Sequence, residues 1–164
     1  MPGSKYLYLL LTLHILGAIA AFGATFAFPF IGAMAQKPDA PVPWFLRLTH
    51  LIERRWTTPV AATIQPLTGA LIILQSKGTF NPFNSHGRWL LAAIIIYIIA
   101  FFFALLVQDR RTVQAANMAE AGQFGPEFGG LMKKLQMGGQ FLTLLLVAII
   151  ILMVTKPGSG VLHP

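Results

Sequence analysis

The feature that most constrains this chain is a long stretch without charge. Residues 6–36 contain no Asp, Glu, Lys or Arg, and one histidine, His14, lies inside the stretch. Three further stretches without these charged residues follow, at 56–76, 89–108 and 135–155. Each is close to the ~20 residues that a helix needs to cross the hydrocarbon core of a bilayer.

Such stretches predict membrane-spanning helices. Because lipid offers no hydrogen-bond partner, a spanning segment must pair its own backbone groups, and a helix does so. The sequence therefore predicts an all-α fold, a four-helix transmembrane bundle with spans at about 5–35, 57–76, 88–108 and 134–155. Four spans leave little of the 164 residues for anything else, so residues 1–164 are predicted to form one membrane domain.

Composition restricts the possible partners and cofactors. The formal net charge is +7, but no basic run exceeds two residues, and the basic residues lie mostly near the ends of the spans. This pattern is typical of contact with lipid headgroups, and it argues against a nucleic-acid partner. The chain has no cysteine. Disulfides, thiolate metal sites and c-type haem attachment are therefore excluded within this chain, whereas b-type haem is not.

The segment before the second span is predicted to be an interfacial amphipathic helix. Trp44, Phe45, Leu48, Leu51 and Ile52 share one helical face, and polar residues occupy the other. The members of the polar face are Arg47, His50, Glu53 and Arg54. After the third span the helix is predicted to continue past residue 108 to Gly122, and residues 125–130 are predicted to connect to the last span.

The distribution of basic residues predicts the orientation. Loops one and three carry more Lys and Arg than the opposite side, which places them in the cytoplasm and both termini outside, in a bacterial inner membrane. A cleaved signal peptide ending at Ala18-Ile19-Ala20 is the alternative interpretation of the N-terminus. The apolar pattern continues unbroken to Ile31, which favours a true span.

Counting residues inward from the span ends predicts a polar layer. His14 lies nine residues from Lys5, and equal counts from the outer ends of spans two and three reach Thr68 and Tyr97. Gln65 lies one helical turn from Thr68. Pro66 removes a backbone hydrogen bond and frees a carbonyl near residue 62. The candidate cofactor-binding residues are therefore His14, Gln65, Thr68 and Tyr97.

Three interpretations of His14 remain open at this point. A histidine inside a membrane is costly unless it is paired, so it suggests a functional site. Its imidazole could be an axial ligand of b-type haem, a copper ligand, or a hydrogen-bonding contact that holds helices together. A second cluster, Arg54, Arg55 and Trp56, is predicted to be an interfacial anchor or to hold an anionic headgroup.

Short motifs suggest a family. Leu13-His14-Ile15-Leu16-Gly17-Ala18 resembles the opening of the copper-resistance D family, of the bacterial membrane protoporphyrinogen oxidases, and of a related group of predicted integral membrane proteins of unknown function. The stretch 53–59 with Thr68-Gly69, and the ending Thr155-Lys156-Pro157, resemble the same oxidases. The resemblance implies a four-helix bundle with a possible b-haem at His14.

One departure from the pattern of the oxidase family bears on the functional prediction. The oxidase family has a lysine after a tryptophan in the third span, whereas Trp89 here is followed by Leu90-Leu91-Ala92-Ala93. The chain resembles the uncharacterised group most closely. We expect a b-haem-associated or accessory subunit of a membrane redox or energy-transducing complex, not itself catalytic, which contacts lipid and either other membrane subunits or a second copy. The alternatives are a protoporphyrinogen-oxidase-like oxidoreductase and a transporter of copper or small molecules.

Overall fold

The computed structural model describes residues 2–35, 41–76 and 81–158, and these residues form helices joined by turns, without a strand. The α-helices are α1 (Pro2–Ala35), α2 (Val42–Ile52), α3 (Thr58–Ala62), α4 (Ile64–Gln75), α5 (Arg88–Phe103), α6 (Asp109–Glu120) and α7 (Pro126–Thr155). Two π-helical turns, Glu53–Thr57 and Ala104–Gln108, join α2 to α3 and α5 to α6. A 3₁₀ turn, Ser85–Gly87, leads into α5.

Four helical stretches in the described residues are long and apolar enough to cross a membrane. They are Lys5–Ala27, Val42–Gln75, Ser85–Glu120 and Pro126–Thr155. Many large apolar side chains along them are exposed, as expected where the neighbour is lipid rather than protein. The all-α fold with four candidate spans is therefore confirmed, and the protein is an integral membrane protein.

The tightest apolar packing lies at one end of the bundle, where α2, α6 and the start of α7 meet. Leu46, Ala115, Ala116, Ala119 and Leu131 form this core, which we call the head. Small alanines on α6 let α2 approach closely, since they add little volume between the two backbones. At the surface of the head, the Arg47 guanidinium donates two hydrogen bonds to the Glu120 carboxylate, at 2.6 and 2.8 Å.

Two helices differ from the predicted boundaries. The predicted interfacial helix is present as α2, but it continues without interruption through a π-turn into the second span. The predicted connection at 125–130 is wrong except at Gly125, because α7 begins at Pro126 and contains Gly129 and Gly130. Proline is favoured in the first helical turn. Packing of Phe128 and Leu131 onto the head then offsets the low helix propensity of the two glycines.

Candidate functional site

His14 lies between α1 and α4, with Thr68 and Gln65 beside it. Its Nδ1 lies 2.8 Å from the Thr68 hydroxyl oxygen, and the Gln65 amide donates to the His14 backbone carbonyl at 2.9 Å. Gln65 and Thr68 are both buried. The structure thus brings three of the four predicted layer residues together, and their polar groups join α1 to α4 inside the apolar bundle.

Tight packing surrounds this His14 cluster. A Cβ on Gly17 would lie 2.8 Å from Ile64 Cγ2 and 3.0 Å from Gln65 Nε2, and a Cβ on Gly69 would lie 3.4 Å from His14 Cε1. The two helices are therefore too close for a flat macrocycle between them. The donor chemistry is nevertheless suitable for a metal, since Nδ1 is engaged by Thr68 and no hydrogen bond in the described residues engages Nε2.

Tyr97 does not join the His14 cluster. Its hydroxyl donates to the Ala61 carbonyl, close to the point where α3 and α4 are interrupted at Thr63. The sequence pointed to a weak point of this kind, because Pro66 has no amide hydrogen to give residue 62. The Tyr97 ring stacks on Phe101, with centroids 6.4 Å apart. Tyr97 therefore belongs to a second region, separate from the His14 cluster.

The predicted anchor residues are divided between different contacts. The Trp56 indole donates to the Ala20 carbonyl at 2.9 Å, which ties the π-turn to α1, although the side chain remains largely exposed. Arg54 reaches Asp109, with 3.8 Å between Nη1 and Oδ2. Arg55 is exposed. A headgroup-binding role for the three residues together stays a prediction.

The polar face of α2 is turned towards α6. His50 Nδ1 lies 2.9 Å from Asp109 Oδ1, so Asp109 has two basic side chains beside it, His50 and Arg54. One and two helical turns further along, Glu53 and Thr57 face the same way as His50. These residues are not simply a solvated face of an interfacial helix, and they lead directly into a cavity.

A cavity of about 260 Å³ lies between the spans, directly below the head. Its apolar part is lined by side chains from α1, α5 and α7, including Phe22, Tyr97, Ala100, Phe101 and Leu146. Its other end is polar and is lined by Glu53, Thr57, Gln108 and Asp109. Both π-helical turns border this polar end. Such turns are frequent at functional sites in proteins.

Three polar side-chain oxygens around this cavity are buried without a hydrogen bond in the described structure. They belong to Glu53 (Oε2), Thr57 (Oγ1) and Gln108 (Oε1). Gln108 is only 6% exposed, and its amide nitrogen donates to the Leu135 carbonyl at 3.0 Å, in the close approach that Gly138 permits. Buried polar groups normally have partners, so three unpartnered oxygens at one cavity call for an explanation.

Sequence reasoning missed this cavity, although part of its signal was visible. Glu53 and Asp109 lie within three residues of apolar stretches, at ends of spans two and three that the topology brings to the same side. The π-turns change the direction in which these two side chains point. No pattern of residue types distinguishes a π-turn from an ordinary helix. Among the described residues, no group of three or more His, Cys, Asp or Glu side chains could hold a metal ion.

Comparison with known proteins places the chain in a family. A family model described as "Predicted integral membrane protein (DUF2269)" matches residues 8–157. No curated protein and no solved structure matches the chain. The relation to the copper-resistance D and oxidase families stays a prediction. Since the match spans nearly the whole sequence, the chain belongs to this family of predicted integral membrane proteins of unknown function.

Proposed function

We propose that this protein binds a small amphipathic organic molecule between its spans, as a carrier or binding subunit of the bacterial inner membrane. The observation that carries the proposal is the cavity below the head, which is apolar at one end and has unpartnered oxygens at the other. Pockets for small molecules typically combine an apolar lining with a few polar groups that fix the ligand's orientation. In the predicted orientation, the polar end lies on the cytoplasmic side.

The size of the cavity restricts the ligand. An engineered cavity of about 150 Å³ in another protein binds benzene, and drug-sized ligands occupy about 300–1,000 Å³. The 260 Å³ here therefore suits a molecule of one or two rings with a short polar group. A macrocycle such as haem is too large for this space.

Filling the cavity is expected to abolish binding. Ala100 is 8% exposed and lines the apolar part, so Ala100→Phe places a ring where the ligand would lie. The probe is 2-naphthol, and the measurement is the shift in thermal unfolding of protein in lipid nanodiscs. A ligand at 100 times its Kd stabilises the native state by about 2.7 kcal/mol.

We expect this shift in the wild type and its loss in Ala100→Phe. The matched control is Ala27→Phe, the same change at an exposed position of α1 outside the cavity lining. The control also accounts for effects of 2-naphthol on the bilayer. Equal shifts in both variants, or no saturable shift in the wild type, contradict the proposal.

A second candidate is an accessory redox subunit with a b-type haem at His14. It is favoured by the contact of Nδ1 with Thr68, which fixes the ring and leaves Nε2 as the atom that would hold the iron. Because α1 and α4 pack too closely to admit a haem between them, the group would have to lie at the outer edge of this helix pair, towards lipid or a partner subunit. A Soret band in the purified protein that is lost in His14→Ala supports this candidate, and its absence after haem reconstitution contradicts it.

A further inference from the structure

We infer that the ligand of the cavity is an organic cation, and that Glu53 is its counter-ion. This inference rests on the proposed function and adds the charge of the ligand. It follows from three features of the cavity. They are the different partners of its two carboxylates, the aromatic rings at its apolar end, and the distance from the Glu53 carboxylate to these rings.

The two carboxylates at the polar end differ in their partners. Asp109 has His50 at 2.9 Å and Arg54 at 3.8 Å. The Glu53 carboxylate has no ion pair or hydrogen bond within residues 2–35, 41–76 and 81–158, and its Oε2 is buried. A buried carboxylate without a partner is costly, and acidic side chains within membrane bundles commonly mark ligand or ion pathways. A cation in the cavity would supply the missing partner.

The apolar end offers contact for the aromatic part of an organic cation. Phe22 packs edge-on against Tyr97, and Tyr97 stacks on Phe101, with ring centroids 6.4 Å apart in each pair. All three rings line the cavity. Aromatic side chains bind another aromatic ring in stacked or edge-on arrangements. These three rings therefore favour an ammonium that carries an aromatic ring over a hydrated metal ion.

The length of the site suits a compact ligand. The Tyr97 hydroxyl is hydrogen-bonded to the Ala61 carbonyl, and Ala61 follows Glu53 by eight residues along the second span. At ~1.5 Å per residue, the carboxylate and the rings lie ~12 Å apart along the helix axis. A single aromatic ring with a trimethylammonium group covers much of this distance, whereas a bare ammonium ion contacts one end only.

The test uses two probes of nearly equal shape and different charge. Phenyltrimethylammonium carries the cation, and tert-butylbenzene replaces its nitrogen by carbon. Equilibrium binding of both is measured to wild type, Glu53→Gln and Glu127→Gln in nanodiscs. Glu127 is exposed at the start of α7, outside the cavity, and serves as the matched loss of one negative charge.

We expect the wild type and Glu127→Gln to bind phenyltrimethylammonium at least about tenfold more tightly than tert-butylbenzene, because a carboxylate acts strongly on a cation in a low-dielectric site. Glu53→Gln is expected to lose that preference and to keep its affinity for tert-butylbenzene within about twofold. The wild-type preference alone tests the inference if Glu53→Gln does not fold.

Three results overturn the inference. Equal wild-type affinity for both probes shows that the site does not select a cation. A preference that survives in Glu53→Gln shows that Glu53 is not the counter-ion. Failure of both probes while 2-naphthol still binds shows that the site does not accept an aromatic ammonium. Failure of all three probes overturns the proposed function as well, so the two claims fail in distinguishable ways.

Discussion

Replacement of Gly87 by alanine is expected to destabilise the protein by about 3 kcal/mol or more. Gly87 ends the 3₁₀ turn that leads into α5, and it is buried against the preceding loop. An alanine Cβ there would lie 2.6 Å from the Asn81 carbonyl carbon, closer still to its oxygen, and 3.2 Å from Pro82 Cα. Overpacking typically costs 1–3 kcal/mol, and a backbone neighbour cannot rotate away as a side chain can.

The measurement is the free energy of unfolding in mixed detergent micelles. The matched control is Gly129→Ala, a helical position where a new Cβ meets nothing within 4 Å. Because alanine is the better helix former, the control is expected to be neutral or stabilising by about 0.5–1 kcal/mol. Similar unfolding free energies for the two variants would show that the chain does not enter α5 by this turn.

Replacement of Ala115 by leucine is expected to destabilise the head by about 2–3 kcal/mol and to weaken binding in the cavity. Ala115 is fully buried at the contact between α2 and α6. A larger side chain must push the two helices apart, since the neighbouring core residues leave little space. Because α2 runs directly into the π-turn that carries Glu53, the displacement should reach the polar end of the cavity.

The control for this change is Ala121→Leu, at an exposed position just after α6. The measurements are the free energy of unfolding and the thermal shift with 2-naphthol. We expect both to fall in Ala115→Leu and neither to change in the control. A loss of stability with unchanged binding would mean that the head does not position the cavity.

The spans were predictable because their signal is large and local. Bilayer thickness sets a minimum length of apolar sequence, and few other structures require stretches such as 89–108. The continuation of span three into α6 was also predictable, since residues 112–121 contain helix formers without a breaker. The start of α7 was not, because tertiary packing of Phe128 and Leu131 outweighs the propensity of two glycines.

The His14 cluster could be predicted in part from the sequence, whereas the cavity could not. Contact of His14 with Thr68 and Gln65 could be anticipated by counting residues from the span ends, because a helix has a fixed rise per residue. Tyr97 lies at the counted depth, yet it bonds to Ala61, because depth alone does not determine which face of a helix meets which neighbour. The inward turn of Glu53 depends on a π-turn and on packing against α6, and neither can be read from residue spacing.

The central claim is that a small molecule occupies the space below the head, and single-cysteine chemistry tests it most directly. The chain has no cysteine, so Thr57→Cys at the cavity and Ala121→Cys at an exposed site just after α6, outside the cavity lining, each give one thiol. The measurement is the rate of labelling by N-ethylmaleimide with and without 2-naphthol. We expect 2-naphthol to slow labelling at position 57 by about tenfold or more and to leave position 121 unchanged. Unchanged labelling at both positions, or equal slowing at both, would show that no small molecule occupies this space.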